Sequence, residues 1–141
     1  MSEDMTGRRY EVRPVAWVES PLKHRAQAPR QGKGAPPAWL AVEPDMAEAI
    51  RDLRAGEQVI VLTWLDRAHR DELATVPGDN PASPPLGVFS TRSPDRPNPI
   101  GLHRVRILAV EGLRVRVSEL EVLDRTPVLD IKPVLDPVAE R

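Results

Sequence analysis

The sequence contains no cysteine, few aromatic residues and no long apolar run. The absence of cysteine excludes disulfides, thiolate zinc sites and cysteine nucleophiles. No apolar run approaches the roughly 18 residues that a membrane-spanning helix needs. The N-terminus, MSEDMTGRRYEVRP, carries acidic residues early and has no apolar stretch, unlike a secretory signal. These features predict a cytoplasmic protein without membrane segments.

The chain also has almost no net charge, which limits how it can meet a polyanion. Twenty Lys and Arg residues stand against 21 Asp and Glu, a formal net charge of −1. A nucleic acid would therefore bind a local basic patch rather than the protein as a whole. The three histidines share no metal-ligand spacing, so we predict no metal site. One early basic cluster fits either phosphate contact or a solvated loop: Lys23, His24, Arg25, Arg30 and Lys33.

Sixteen prolines disfavour a large helical bundle, because proline interrupts helices and central strands. Short segments that are apolar or alternate apolar and polar residues are typical of strands. Residues 44–53 have the apolar spacing of a helix that starts at Pro44. We expect the tryptophans, Trp17, Trp39 and Trp64, to pack in the core. The pattern predicts a mainly β domain, a small barrel or sandwich with one or two short flanking helices. Its predicted strands are residues 11–19, 39–42, 58–65, 87–90, 102–110 paired with 113–120, and 128–131.

The most distinctive stretch is GVFSTRSPDRPNPIG, residues 87–101. Its three prolines fix the backbone, so the segment loses little conformational entropy on binding a ligand. Arg92, Arg96 and Asn98 carry groups that grip phosphates, carboxylates or base edges. The alternative is a structural loop with solvated arginines.

This stretch resembles the signature G-V-F-[AS]-T-R-[SA]-P-x-R-P-N-P-I-G of the TsaA-like (TrmO) family of S-adenosylmethionine-dependent tRNA methyltransferases. Three further blocks resemble the family in the same order. They are VAWVESP at residues 15–21, APRQ at 28–31 and LDRTPVLDIKP at 123–133. The resemblance covers residues 12–135 and leaves a flexible N-terminus, 1–11, and a tail, 136–141.

The resemblance implies a single antiparallel β-barrel that works as a homodimer, with S-adenosylmethionine bound near the subunit interface. Three places depart from the family pattern. Glu57-Gln58 stand where the family has Ser-His, Val134 stands where it has an aromatic residue, and Arg125 stands where it has glycine. An arginine there costs backbone strain if the turn needs a positive φ. The cofactor contacts implied by the resemblance are Leu22, Lys23, His24, Gln58, Leu86, Arg96, Leu123, Asp124, Arg125 and Thr126.

Methyl transfer from a sulfonium is an in-line displacement, so the protein has chiefly to align donor and acceptor. An acceptor nitrogen that loses a proton can use a carboxylate base, for which Asp130 and Asp124 are the candidates. The alternative for Asp130 is an ion pair with Lys132, two residues along one strand. We assign acceptor binding to Arg30, Arg92, Asn98 and Lys132.

The family resemblance implies methylation of N6 of threonylcarbamoyladenosine beside the tRNA anticodon. Two alternatives stay open. One is the same fold and cofactor with another RNA or a small molecule as acceptor. The other is a dimer that binds S-adenosylmethionine without turnover.

Overall fold

A computed structural model describes residues 5–24, 34–76 and 82–135. Its secondary structure is mainly β, as predicted, with helix only as two 3₁₀ segments in these residues, Pro44–Ile50 and Val88–Ser90. Arg30, which is predicted to bind the acceptor, and the tail, residues 136–141, lie outside the described residues. The strands in chain order are β1 Ala16–Glu19, β2 Ala38–Val42, β3 Gln58–Trp64, β4 Ala74–Thr75, β5 Leu86–Gly87, β6 Ile100–Glu111, β7 Arg114–Val117 and β8 Pro127–Pro133.

Six strands pair in the order β1-β2-β7-β6-β3-β8, and β8 pairs back to β1, so the sheet closes into a barrel. All of these pairings are antiparallel. The short strands β4 and β5 form a separate ribbon inside the long connection from β3 to β6. Closure gives each of the six strands a hydrogen-bonded neighbour on both sides over part of its length.

The core follows the two-residue period of the strands. In β3, Val59, Val61 and Thr63 are buried, while the residues between them are only half-buried. In β7 the two valines are buried and the two arginines are exposed. The buried cluster is aliphatic and draws on the barrel strands, Ile50, Leu120 and Val122.

The three tryptophans are not part of that cluster, so the expectation that they pack in the core is wrong. Each lies on the outward face of its strand. The Trp17 indole donates to Glu43 Oε1 at 2.7 Å. Arginine guanidinium groups lie over the rings of Trp39 and Trp64. Their polar partners explain this placement, because an indole can cover the surface while its edge or face meets a charge.

Two predicted elements take a different form. The segment predicted as a strand at 87–90 continues after Gly87 as the 3₁₀ turn Val88–Ser90, in which Thr91 N–H donates to the Val88 carbonyl at 3.1 Å. The predicted helix begins at Pro44 but is 3₁₀ and ends at Ile50. Its hydrogen bonds join residues three apart, which is enough to lay Met46, Ile50 and Leu53 on the core.

The first strand is shorter than predicted. Regular pairing covers only Ala16–Glu19, and its pairs with β2 and β8 end at Ala16, opposite Val42 and Val128. The β6–β7 hairpin is confirmed, and its turn holds Gly112 at φ 58°. Within the described ranges, no helix is long and apolar enough to cross a membrane.

Candidate cofactor site

Two irregular segments meet at one end of the barrel, residues 20–24 after β1 and residues 123–126 before β8. We call this meeting point the β1–β8 corner. Its backbone is tightly bonded: Arg125 N–H donates to the Val18 carbonyl at 2.6 Å and Asp124 N–H to the Leu22 carbonyl at 2.7 Å. Because β1 and β8 are antiparallel neighbours, the end of one and the start of the other must lie together. The topology therefore unites two sequence blocks a hundred residues apart.

Asp124 is the centre of the corner. One carboxylate oxygen accepts the Ser20 N–H at 2.9 Å, and the other accepts the Lys23 ammonium at 2.7 Å. The hydrogen bond from Lys23 holds the pKa of Asp124 below its ordinary value, against the opposing effect of burial, and the Ser20 N–H adds to the lowering. An ionised carboxylate thus ties the two segments together.

Arg67 joins a third segment to this corner. Its guanidinium donates to the Lys23 carbonyl and to the Asp124 carbonyl, each at 3.1 Å. Arg67 belongs to the charged run after β3, and sequence reasoning missed it because such runs are usually solvated. Its one signal is position: it lies three residues after Trp64, where β3 leaves the barrel at the same end.

Arg125 and Thr126 shape the turn into β8. Arg125 has φ 68°, in the left-handed region where glycine is favoured, so the departure from the family's glycine keeps the turn at a cost in strain. Its side chain is 88% exposed, with Nε 4.0 Å from the Asp124 carboxylate. Thr126 is buried and its hydroxyl donates to the Leu123 carbonyl at 2.7 Å. Arg125 thereby projects an exposed positive charge beside the corner.

Seven of the residues predicted to contact the cofactor lie together at the corner. Leu22 is buried, while the Lys23 and His24 side chains are exposed at the end of the described segment. Leu22, Lys23 and His24 lie in the segment that contacts the turn of residues 123–126. The set is Leu22, Lys23, His24, Leu123, Asp124, Arg125 and Thr126.

Arg96 has a different arrangement from the contact predicted for it. Its guanidinium donates to the carbonyls of Val88 at 2.6 Å, Thr91 at 3.0 Å and Ser93 at 3.0 Å. These hydrogen bonds hold the proline-studded segment in shape. Arg96 therefore has a structural role in this loop, but it is half-buried and hydrogen-bonded rather than solvated as the alternative expected.

The other polar residues of that segment divide between two environments. Arg92 is exposed. The Asn98 side-chain oxygen accepts from the Arg70 guanidinium at 3.1 Å, and Arg70 also donates to the Pro97 carbonyl at 2.7 Å and lies 5.0 Å from the Trp64 ring centre. Asn98 is therefore fixed to the connection that follows β3.

Gln58 does not reach the corner within one chain, and Leu86 lies in the separate β4–β5 ribbon. Leu86 lies in β5, pairs with Thr75 and is exposed. Gln58 begins β3, whereas the corner lies beyond the other end of that strand, near the Thr63–Val128 pair. A seven-residue strand is roughly 20 Å long, too far for direct contact.

Asp130 and Lys132 form the ion pair that was the alternative for them, with Nζ 3.2 Å from Oδ2. Both side chains are half exposed or more. The pair lies on the outward side of β8, opposite Leu62 and Ile60. Among the described residues, no group of three His, Asp or Glu side chains is placed to hold a metal ion.

The barrel interior is polar just beneath the corner. Thr63 Oγ1 and His103 Nε2 lie 2.9 Å apart, and Ser20 and Thr126 are buried nearby at the ends of β1 and β8. Gly101 makes room for this pair, because a Cβ there would lie 2.4 Å from Thr63 Oγ1 and 2.5 Å from His103 Nε2. Burial lowers the pKa of His103 to about 4, so its imidazole is neutral at pH 7.

The corner offers the chemistry that an amino-acid-bearing ligand needs. Lys23, Arg67 and Arg125 supply cationic donors, and Asp124 supplies a carboxylate acceptor within the same few ångströms. Cationic donors bind a ligand carboxylate, while backbone and carboxylate oxygens bind an ammonium group. The donor set therefore fits the zwitterionic end of S-adenosylmethionine.

Comparison with known proteins identifies related chains. A family model described as the tRNA-methyltransferase O N-terminal domain matches residues 17–138. An S-adenosyl-L-methionine-binding protein from Archaeoglobus fulgidus is 43% identical over 122 residues, covering 86% of this chain and 86% of that protein. A probable S-adenosyl-L-methionine-binding protein from Methanothermobacter thermautotrophicus is 40% identical over 128 residues, covering 90% of this chain and 91% of the relative.

Solved structures show the same fold. The crystal structure of TrmO from Pseudomonas aeruginosa matches with a TM-score of 0.74 at 31% identity, covering 95% of this chain and 61% of that one. A second Archaeoglobus fulgidus relative, a probable S-adenosyl-L-methionine-binding protein, is 42% identical over 124 residues. This sequence match covers 87% of this chain but only 33% of the second Archaeoglobus fulgidus relative. Some relatives thus extend well beyond the matched region.

Proposed function

Because the chain belongs to the TrmO (TsaA-like) family, we propose that it is an S-adenosylmethionine-dependent tRNA methyltransferase whose cofactor binds at the β1–β8 corner. The observation that carries the proposal is the union of two distant blocks around the Asp124 carboxylate. We further propose N6 of threonylcarbamoyladenosine, beside the anticodon, as the acceptor, which implies a cytoplasmic protein.

S-adenosylmethionine would supply the methyl group from its sulfonium sulfur and leave as the neutral thioether, and the acceptor nitrogen would lose its proton to solvent. This chain's contribution is to bind and orient. Lys23 is held toward the corner by Asp124, and Arg67 fixes the backbone on both sides. Arg125, with a side chain that is 88% exposed, is well placed to meet a carboxylate from solvent.

Asp124 is proposed as a positioning residue rather than a base. Both of its oxygens are engaged, and its lowered pKa makes it a weaker proton acceptor than a free carboxylate. Asp130 is paired with Lys132 and is four residues along β8 from Thr126, roughly 13 Å. Proximity and orientation carry the larger part of catalysis in this proposal.

A homodimer follows from the same proposal. Gln58 lies at the far end of β3 and cannot reach the corner of its own chain. If Gln58 contacts the cofactor as the family pattern implies, it does so from a second subunit. The proposed site is then incomplete in the monomer.

Methyl transfer tests the proposal directly. The chain is incubated with S-adenosylmethionine labelled in its methyl group and one tRNA in two forms, with and without threonylcarbamoyladenosine. We expect label only in the modified form, and less label with Asp124→Asn than with the exposed control Asp52→Asn. Label in neither form, from a protein that binds the cofactor, would contradict the enzymatic proposal.

A second candidate is S-adenosylmethionine binding with another acceptor or none. It is favoured by the name of the Archaeoglobus fulgidus relative that matches over most of its length, which states binding and no reaction. Equal labelling of both tRNA forms, or of another RNA alone, would favour a different acceptor. Tight binding without transfer to any RNA would favour a sensor.

A further inference from the structure

The outward face of the hairpin β6–β7 and its neighbour β2 carries a row of arginines around one tryptophan. The alternation Arg114-Val115-Arg116-Val117 buries both valines and exposes both arginines. Trp39 pairs with Arg116 across β2 and β7. We call Arg106, Arg114, Arg116 and Trp39 the arginine strip.

The strip is held in place by partners that leave most of its charge intact. The Arg114 and Arg116 guanidinium groups lie 4.4 and 5.9 Å from the Trp39 ring centre. Arg106 donates to the neutral carbonyl of Gly56 at 2.7 Å. Arg114 is matched by a carboxylate, with Nη2 2.7 Å from Glu19 Oε1.

Charge on these strands contrasts with that of the whole chain. The outward positions of β1, β2, β6 and β7 hold four arginines, namely the three of the strip and Arg104, and two glutamates, Glu19 and Glu111. The whole chain has a net charge of −1. This sheet face therefore offers a polyanion the local basic surface that the overall charge of the chain does not provide.

The strip is continuous with the β1–β8 corner. Trp39 pairs with Glu19, and the next residue, Ser20, donates its N–H to Asp124. Two strand spacings, about 10 Å, separate β1 from β7. A strand of RNA lying over Arg116 is then within a few nucleotides of the corner.

We propose that the arginine strip binds the phosphate backbone of the RNA substrate and so presents the acceptor base to the corner. This inference rests on the proposed function. RNA fits better than an acidic protein, because the cations form a row along one sheet face that leads to the corner. Guanidinium groups match phosphate oxygens in bidentate fashion.

The test measures binding of an unmodified tRNA transcript by the full chain at several salt concentrations. We expect Arg116→Ala and Arg106→Ala each to weaken binding about fivefold and to reduce the salt slope by about 1 for each phosphate that the variant no longer neutralises. Binding of S-adenosylmethionine should not change in Arg116→Ala, which is the cleaner of the two variants because Arg106 pairs with Gln58. The control is Arg51→Ala, an exposed arginine just after the first 3₁₀ helix at the other end of the barrel.

The outcomes separate the two proposals. Binding by the variants that equals the Arg51→Ala control would overturn the strip and leave the proposed function standing. A wild-type chain that binds no tRNA would overturn both. Displacement of the tRNA by a poly-glutamate peptide at equal charge concentration would also overturn the strip as an RNA site, and would assign it to an acidic protein. Circular dichroism and thermal unfolding of each variant show that it is folded.

Discussion

The two ends of the barrel are built from the same strands but bury different kinds of side chain, polar at one end and apolar at the other. At the corner end, the interior holds Ser20, Thr63 and Thr126, the buried polar side chains of the described chain, together with His103. At the opposite end, the 3₁₀ helix and the hairpin turn close the core with apolar groups such as Ile50 and Leu113.

The apolar end stabilises the fold, whereas the polar end has the kind of geometry that ligand binding requires. Apolar burial at the far end stabilises the barrel and asks for no specific geometry beyond packing. At the corner end the hydroxyl groups of Ser20, Thr63 and Thr126 each have a hydrogen-bond partner, whereas His103 Nδ1 is buried with none among the described residues. The partnered hydroxyl groups hold the segments around them in one arrangement. Such fixed polar geometry is what a binding site needs.

The largest expected effect concerns Arg96, whose guanidinium holds three carbonyls at the corner end. We expect Arg96→Ala to lower the free energy of unfolding by about 3 kcal/mol, because several charged hydrogen bonds disappear together. Arg92→Ala, in the same segment but exposed, should change it by less than about 0.5 kcal/mol. Denaturant unfolding measures both. Equal stabilities would show that Arg96 does not hold the segment.

Gly101 tests how closely the polar interior is packed. A Cβ at this position would lie well inside contact distance of Thr63 Oγ1 and His103 Nε2. We expect Gly101→Ala to cost about 2 kcal/mol of unfolding free energy, as overpacking does. Gly87→Ala is the matched control, since no atom lies within 4 Å of its added Cβ. If both variants are equally stable, the interior at this end is not tightly packed.

His103 makes the free energy of unfolding depend on pH. Burial lowers its pKa in the folded chain from 6.5 to about 4, so the unfolded chain binds the proton more readily. The stability tied to the neutral ring is fully present above pH 6.5 and is lost as the pH falls toward 4. We expect His103→Gln to remove about 1 kcal/mol of this loss between pH 6.5 and 5.

Denaturant unfolding of the wild type and of His103→Gln at pH 6.5 and at pH 5 measures this difference as the slope of unfolding free energy against pH. A slope that His103→Gln leaves unchanged would place the titrating group elsewhere.

Arg125 carries the smallest effect, at the turn of the corner. Its φ of 68° is one that glycine adopts without strain. We expect Arg125→Gly to raise the free energy of unfolding by about 1 kcal/mol and to weaken S-adenosylmethionine binding, since the charge is removed. Arg125→Ala removes the charge but keeps the unfavourable φ. If the alanine variant is as stable as the glycine variant, backbone strain is not the cause.

Much of the fold can be predicted from sequence because alternation marks one face of a strand. The hairpin around Gly112 and the strand at 58–64 show this pattern clearly. The same pattern misplaces the tryptophans, because alternation says which residues share a face but not which face lies inside. Their arginine and glutamate partners come from other strands and are not visible in local sequence.

The corner is predictable only through the family resemblance. No spacing rule joins Lys23 to Asp124, since barrel closure brings them together. Sequence reasoning misses Arg67 and the Thr63–His103 pair because each acts through a partner on another element. The three carbonyls that Arg96 holds are likewise a property of the folded loop.

The most direct test of the account is calorimetric titration of the chain with S-adenosylmethionine, wild type beside Asp124→Asn. If the cofactor binds at the corner, the wild type binds one cofactor per chain and the variant binds at least about tenfold more weakly, because removal of the carboxylate releases Lys23. Asp52→Asn should match the wild type. Wild-type affinity in Asp124→Asn would contradict cofactor binding at the corner, and so would no binding by the wild type.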